Sequence, residues 1–219
     1  MNTPTPYLDG IVLASAAYPS GFSTSLYTSW KGLPREGSTL FLAFLALPYL
    51  VLCPSVWALR PSLLVVRGAG LWWWIAACLT AAIALASEYV IHGLALYRKS
   101  GRFPTWFAVH SSWQRRLSWL DHILLAVVVI GEELVYRTVG IGILSHAFGL
   151  PLSVALLVTS VGYGVNHLAF GGLSVLSKTV AGLLYGVLFL LGGESILLPI
   201  LAHGLQNIAL FGLAREINA

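Results

Sequence analysis

Charged residues are scarce in this sequence. Of its 219 residues only 9% are charged and 58% are hydrophobic, and the mean hydropathy is +0.83. A water-soluble domain carries about 25% charged residues, so this composition excludes an ordinary soluble globule. It also excludes a disordered chain, which requires low hydropathy and a high net charge. Lipid is therefore the expected environment for most of the surface.

The sequence also lacks a long hydrophilic stretch, an internal repeat and a basic stripe. The net charge is +4, and the basic residues are scattered between apolar stretches, which argues against nucleic acid as a partner. The first 37 residues contain no basic start followed by an apolar stretch and a cleavage site, so no removable signal peptide is predicted. Membrane lipid is the expected partner.

Apolar stretches long enough to cross a bilayer recur from residue 38 onwards. A spanning helix needs about 20 mostly apolar residues. The sequence predicts six such crossings: 38–59; 68–87; one beginning at 117; one between turns near Gly149 and Gly171; 179–193; and 195–214. The predicted fold class is all-α, a polytopic membrane helical bundle of about six transmembrane helices.

Three regions follow from this pattern. Residues 1–37 are predicted to be an interfacial or flexible N-terminal segment, although a weakly apolar stretch at 8–30 leaves a further span open. Residues 38–116 hold two crossings and then a basic, aromatic segment, 98–116, of the kind that lies in the headgroup layer. Residues 117–214 form a core of four crossings.

Lys and Arg in the connecting segments predict the orientation, because cytoplasmic segments of membrane proteins carry an excess of these residues. With the N-terminus inside, nine of them fall inside, and only Arg60 and Arg67 fall outside. The nine are Lys31, Arg35, Arg98, Lys99, Arg102, Arg115, Arg116, Lys178 and Arg215. Both termini are therefore expected in the cytoplasm.

Costly polar residues interrupt the apolar core. An ionisable side chain within a membrane costs about 2.5–3.5 kcal/mol on insertion scales, so each one needs a partner or a function. Glu133 and Arg137 are four residues apart, about one helical turn, and are predicted to pair. Glu132 lies about 100° away around the helix, so its carboxylate is left free for chemistry.

Two further pairs of polar residues occur at four-residue spacing, Tyr163 with His167 and His203 with Asn207. This spacing places each pair on one helix face. Glu132 and His167 are each 17 residues from the turn at Gly149, which predicts that they lie at a similar depth. His203 is only 10 residues from Gly193, about two helical turns off that level, so a kinked or tilted helix is expected there.

Each of these features also has a purely structural interpretation. A buried Glu–Arg pair is often only structural, and a histidine in an apolar helix often bridges to a neighbouring helix. Two carboxylates, two histidines and an asparagine distributed over several crossings are harder to explain by packing, because packing would use less costly residues.

The three motifs, in this order, resemble those of the CPBP family of intramembrane proteases, also called the Abi domain, which includes CAAX prenyl endopeptidases and bacteriocin-processing proteins. The family pattern is Glu-Glu-x-x-x-Arg, Phe-x-x-x-His and His-x-x-x-Asn or Asp. Tyr163, in place of Phe, is the one departure, and it bears on substrate packing more than on chemistry. The resemblance covers roughly residues 117–213, under half of the chain.

The resemblance implies cleavage of a peptide bond of a membrane-associated protein or peptide. It implies that Glu132 activates water with the help of His167, that His203 and Asn207 stabilise the oxyanion, and that supporting positions hold the site. Those supporting positions are Glu133, Arg137 and Tyr163. The resemblance favours a mechanism without a cofactor.

Zinc is the alternative, with Glu132, His167 and His203 as ligands, since two histidines and a carboxylate leave a fourth position for water. The sequence lacks His-Glu-x-x-His, the signature of many zinc proteases. Two functions of other classes also remain open. One is a non-catalytic immunity or scaffold protein, and the other is a proton-coupled carrier, although no carrier-type repeat is visible. The expected location is a bacterial inner membrane.

Overall fold

The computed structural model of the chain describes residues 6–30, 38–104 and 117–213. These residues form eight α-helices and no β-strand, so the predicted all-α fold class is confirmed for this part of the chain. The helices are α1 (Pro6–Ala17), α2 (Pro19–Ser29), α3 (Thr39–Leu59), α4 (Leu71–Ser100), α5 (Trp119–Glu133), α6 (Leu152–Val165), α7 (Gly172–Leu191) and α8 (Leu197–Leu213).

Some of the predicted features lie outside the described residues. They are residues 1–5 and 31–37 of the N-terminal segment, residues 105–116 of the predicted interfacial segment, and residues 214–219. Five of the basic residues used to predict the orientation fall there: Lys31, Arg35, Arg115, Arg116 and Arg215.

Helices α3 to α8 correspond to the six predicted crossings. Three of them, α3, α4 and α7, are long and apolar enough to cross a membrane, and α6 and α8 are shorter apolar helices. The predicted turns are present at Gly149 and Gly171, where the backbone φ values are 69° and 95°. Positive φ values of this kind favour glycine, which explains why the chain reverses there.

Helix α7 begins earlier than predicted, at Gly172 instead of residue 179. The prediction that Lys178 lies in a connecting segment is therefore wrong, because this residue lies within a helix. Its ammonium lies 3.0 Å from Glu88 Oε2 of α4, and this ion pair lets the helix continue through a charged residue.

Helix α5 begins at a capping box that was not predicted. The Ser118 hydroxyl accepts a hydrogen bond from the Asp121 backbone N–H at 3.2 Å, and the Asp121 carboxylate accepts one from the Ser118 N–H at 2.6 Å. These two bonds satisfy backbone donors that a helix start leaves free. Beyond Glu133 the chain continues as π-helical turns over Leu134–Ile141 and Ile143–Ala147.

The N-terminal segment is largely helical in the structure. The two helices α1 and α2 contain 12 and 11 residues, and α2 packs against α3 while α1 packs against the π-helical turns. Both are shorter than the roughly 20 residues that a crossing requires.

The outer surface of the bundle is apolar. Helix α6 packs mainly on α7, α4 packs on α7 and α8, and α3 packs on α5. Large apolar side chains face outwards on the long helices, among them Val51 (61% exposed), Trp72 (79%) and Leu79 (60%). A surface of this kind matches a hydrocarbon environment.

Candidate active site

The two adjacent glutamates at the end of α5 are both buried, with Glu132 3% exposed and Glu133 not exposed at all. Successive helical residues point about 100° apart, and the two carboxylates have different partners. Glu133 Oε2 accepts a hydrogen bond from Arg137 Nε at 3.0 Å, and neither side chain of the pair is exposed. The predicted ion pair therefore forms, and Glu132 is not part of it.

His203 of α8 lies between the two carboxylates. Its Nδ1 is 2.9 Å from Glu133 Oε1, and its Nε2 is 3.9 Å from Glu132 Oε2. Because an ionised carboxylate can only accept, Nδ1 carries the proton of this bond. In the neutral imidazole, the lone pair of Nε2 then faces Glu132.

His167 faces the same carboxylate from another direction. Its Nδ1 lies 2.9 Å from the carbonyl oxygen of Tyr163, which can only accept, and its Nε2 lies 3.9 Å from Glu132 Oε1. The predicted similar depth of Glu132 and His167 is therefore observed. A distance of 3.9 Å is too long for a direct hydrogen bond and suits one bridging water.

The prediction that His167 lies within a helix is wrong. Helix α6 ends at Val165, and His167 leads into the 3₁₀ turn Leu168–Phe170. The helix cannot continue because the chain reverses at Gly171, where φ is positive. The bond from the His167 ring to the Tyr163 carbonyl still keeps the imidazole beside the preceding turn.

His203 also lies closer to Glu132 than the sequence predicted. The turn itself lies at the surface, since Gly193 is exposed. The chain then enters the interior directly, because Ser195 and Ile196 are buried, at 0% and 1% exposure, before α8 begins at Leu197. His203 Nε2 ends 3.9 Å from Glu132 Oε2.

Tyr163 forms one wall of the cluster and is fully buried. Its hydroxyl lies 3.4 Å from His203 Nε2, and its ring meets that of His167 edge-on, with centroids 5.0 Å apart. The Arg137 guanidinium carbon lies 5.3 Å from the centroid of the same ring. The hydroxyl by which this residue differs from the family's Phe therefore touches an imidazole of the cluster.

Asn207 and Asn166 differ in their contacts. Asn207 is half-buried, and in residues 6–30, 38–104 and 117–213 its amide has no hydrogen-bond partner. Asn166, which the sequence analysis did not single out, donates to Glu132 Oε1 at 3.3 Å. The only sequence signal for Asn166 is its position, because it is a polar amide directly before His167 in an otherwise apolar stretch.

Tyr49 of α3 is a second residue that sequence reasoning missed. It is 2% exposed, and its hydroxyl donates to Glu132 Oε1 at 3.3 Å. Ser20 of α2 lies 3.1 Å from the same hydroxyl. No motif marks either residue, because a tyrosine in an apolar span is common.

A second polar network lies behind His203. The Tyr185 ring stacks on the His203 imidazole with centroids 5.3 Å apart, and its hydroxyl donates to Gln206. Gln206 in turn donates to Glu88 Oε2 at 2.8 Å, the oxygen that also accepts from Lys178. These bonds tie α4, α7 and α8 together around the imidazole.

The three predicted zinc ligands do not form a metal site as placed. The part of the chain that the structure describes holds no group of three or more His, Cys, Asp or Glu side chains arranged to bind a metal ion.

A comparison with protein families now identifies this region. Residues 114–209 match the family described as type II CAAX prenyl endopeptidase, Rce1-like. These residues are thus similar to an Rce1-like domain. The CPBP/CAAX protease family predicted from the motifs is thereby confirmed for residues 114–209, a little under half of the chain. No curated protein and no solved structure matches the chain.

The Rce1-like domain contains every residue that the motifs predicted for the site, from Glu132 to Asn207. Together with the apolar helices, it supports an integral membrane protein with CAAX-type endopeptidase activity and a protein or peptide substrate. The helices that carry Tyr49 and Ser20 lie outside the matched region.

Proposed function

We propose that this chain is a glutamate-dependent intramembrane endopeptidase in which Glu132 activates water. One observation supports this role most directly. Glu132 is a buried carboxylate that no Lys or Arg of the described residues pairs with, and the Nε2 atoms of His167 and His203 both lie 3.9 Å from it. Glu133, by contrast, is neutralised by Arg137.

In the proposed reaction, Glu132 removes a proton from a water molecule, and the water oxygen forms a bond to the carbonyl carbon of the substrate. The carbonyl π electrons move to its oxygen. The C–N bond then breaks, and the leaving nitrogen receives the proton from Glu132. A positioned general base of this kind contributes about 10²–10⁴-fold to the rate.

Hydrogen-bond donors stabilise the negative oxygen in this proposal. Asn207 supplies its amide, which the described protein residues leave available to a substrate. His203 in its protonated form donates Nε2–H to the oxyanion, while its Nδ1–H continues to donate to Glu133 Oε1. His167 assists Glu132, and Tyr163 shapes the wall against which the substrate packs.

The substrate and its setting belong to the same proposal. The substrate is a membrane-associated protein or peptide that reaches the buried cluster from the lipid phase. Nucleic acid has no role in this proposal. Both termini are proposed to be cytoplasmic, with the protein in a bacterial inner membrane.

The test is Glu132→Gln in purified protein, with a fluorogenic prenylated peptide ending in a CAAX sequence as the substrate. We expect cleavage to fall at least about 100-fold. Glu194→Gln is the matched control, because Glu194 lies in a surface ion pair with Arg67, and it should cleave at the wild-type rate. Full cleavage by Glu132→Gln would overturn the assignment.

Two further results distinguish the alternatives. Activity that persists after exhaustive dialysis against a strong chelator supports the metal-free mechanism, whereas loss of activity and its recovery with Zn²⁺ supports the zinc mechanism. A correctly folded wild-type protein that cleaves neither prenylated nor leader peptides favours a scaffold, immunity or carrier function.

A further inference from the structure

The carboxylate of Glu132 is hydrogen-bonded by a helix that lies outside the Rce1-like domain. The Tyr49 hydroxyl of α3 donates to Glu132 Oε1 at 3.3 Å, although the two residues are 83 positions apart in sequence. Both side chains are buried, at 2% and 3% exposure. The N-terminal half therefore contributes directly to the surroundings of the proposed base.

The number of available protons fixes the direction of these hydrogen bonds. The two N–H protons of Asn166 Nδ2 face three acceptors, Ser20 Oγ at 2.5 Å, the Tyr49 hydroxyl oxygen at 3.1 Å and Glu132 Oε1 at 3.3 Å. One N–H therefore goes to Ser20, and the other is shared between Tyr49 and Glu132. Since Ser20 accepts from Asn166, its own proton is available to Tyr49 at 3.1 Å. The single proton of Tyr49 then goes to the carboxylate, which can only accept.

The Asn166 amide is itself held in place. Its Oδ1 accepts a hydrogen bond from the backbone N–H of Gly21 in α2 at 2.9 Å. This bond fixes which end of the amide faces the carboxylate, because the oxygen end is occupied by a donor. Tyr49 of α3 and Asn166, the residue directly after α6, thus present two donors to one oxygen of Glu132, and α2 holds both of them in place.

The backbone next to Glu132 is shaped to admit the tyrosine. A Cβ atom added to Gly131 would overlap Cβ and Cγ of Tyr49, so only glycine lets α3 approach α5 this closely. Helices α3 and α5 are in extensive contact. The hydrogen bond is therefore supported by close packing of the two backbones.

We propose that Tyr49 is a positioning residue for catalysis, which holds Glu132 Oε1 through its hydroxyl and leaves Oε2 as the oxygen that exchanges the proton. Tyr49 and Asn166 both donate to Oε1, which also lies 3.9 Å from His167 Nε2, whereas Oε2 accepts from neither donor and faces His203 Nε2 at 3.9 Å. Without the tyrosine hydroxyl, Oε1 keeps only the shared N–H of Asn166, so the carboxylate is held less firmly against rotation about its terminal bond. This inference rests on the proposed function, in which Glu132 is the base.

Tyr49→Phe tests the proposal, because it removes only the hydroxyl. The loss of a hydrogen bond to a charged group is expected to lower kcat by about 10- to 100-fold. KM should change less than about twofold, since Tyr49 acts on Glu132 and not on bound substrate. Tyr136→Phe is the matched control: its hydroxyl is buried and has no hydrogen-bond partner in the described residues, so kcat should stay at the wild-type value.

A second pair of variants tests whether Tyr49 acts through the hydrogen-bond chain. Ser20→Ala should lower kcat in the wild-type background and should have a smaller effect in the Tyr49→Phe background, because part of its action passes through the tyrosine. A merely structural role would give equal effects in both backgrounds. Thermal unfolding in detergent identifies any variant that fails to fold.

The outcomes separate this inference from the proposed function. The role of Tyr49 is overturned if folded Tyr49→Phe keeps the wild-type kcat, or if its kcat/KM falls only through KM. In that case an inactive Glu132→Gln variant still supports Glu132 as the base. Active Glu132→Gln overturns the proposed function itself.

Discussion

Replacing Arg137 by methionine tests how much the buried ion pair stabilises the fold. Neither partner is exposed, and the change leaves the Glu133 carboxylate with His203 but without its cation. Breaking a buried pair in this way costs about 3–5 kcal/mol. In the described residues, Arg137 Nη1 and Nη2 have no partner, so removing them relieves part of an existing cost. We therefore expect the free energy of unfolding to fall by about 3 kcal/mol, the lower end of that range.

The measurement is equilibrium unfolding in detergent micelles, followed by circular dichroism. Arg67→Met is the matched control, because the Arg67–Glu194 pair is 55% and 37% exposed and should be worth less than about 1 kcal/mol. The double variant Glu133→Gln with Arg137→Met should recover much of the loss, since no unpaired charge remains. An Arg137→Met protein as stable as Arg67→Met would refute the reasoning.

Two further variants probe the close helix contact and the proposed oxyanion donor. Gly131→Ala should push Tyr49 away, lower the free energy of unfolding by about 1–3 kcal/mol and also lower kcat. Gly172→Ala is the control: an added Cβ meets nothing within 4 Å there, so the free energy of unfolding should not fall. Equal stability of these two variants would contradict the packing argument. Asn207→Ala should lower kcat by about 10²–10³-fold, with little change in stability because its amide has no partner among the described residues. Unchanged kcat would remove Asn207 from the proposed site.

Local patterns predicted the helices and part of the cluster well. Glycines at the turns marked the ends of helices, and the four-residue spacing of Glu133 and Arg137 predicted their pairing because a helix fixes that geometry. The depth of His167 followed from equal distances along a hairpin. These features depend on residues close in sequence or joined by one short turn.

Contacts between distant segments could not be predicted in this way. The depth of His203 depends on how the chain enters the interior at Ser195 and Ile196 before α8 begins, which residue counting does not show. Tyr49 reaches Glu132 from 83 positions away through the packing of two helices at a glycine. A single sequence carries no signal for such pairs, because each side chain alone is ordinary.

The π-helical turns that follow Glu133 make this stretch sensitive to changes in length. Adding or deleting one residue between Glu133 and Arg137 would rotate Arg137 about the helix axis, by about 100° in α-helical geometry, and would swing it away from its carboxylate. The exposed turn at Gly149 carries no such angular constraint on this pair. Insertions and deletions in relatives of this protein should therefore be tolerated at that turn and excluded between Glu133 and Arg137.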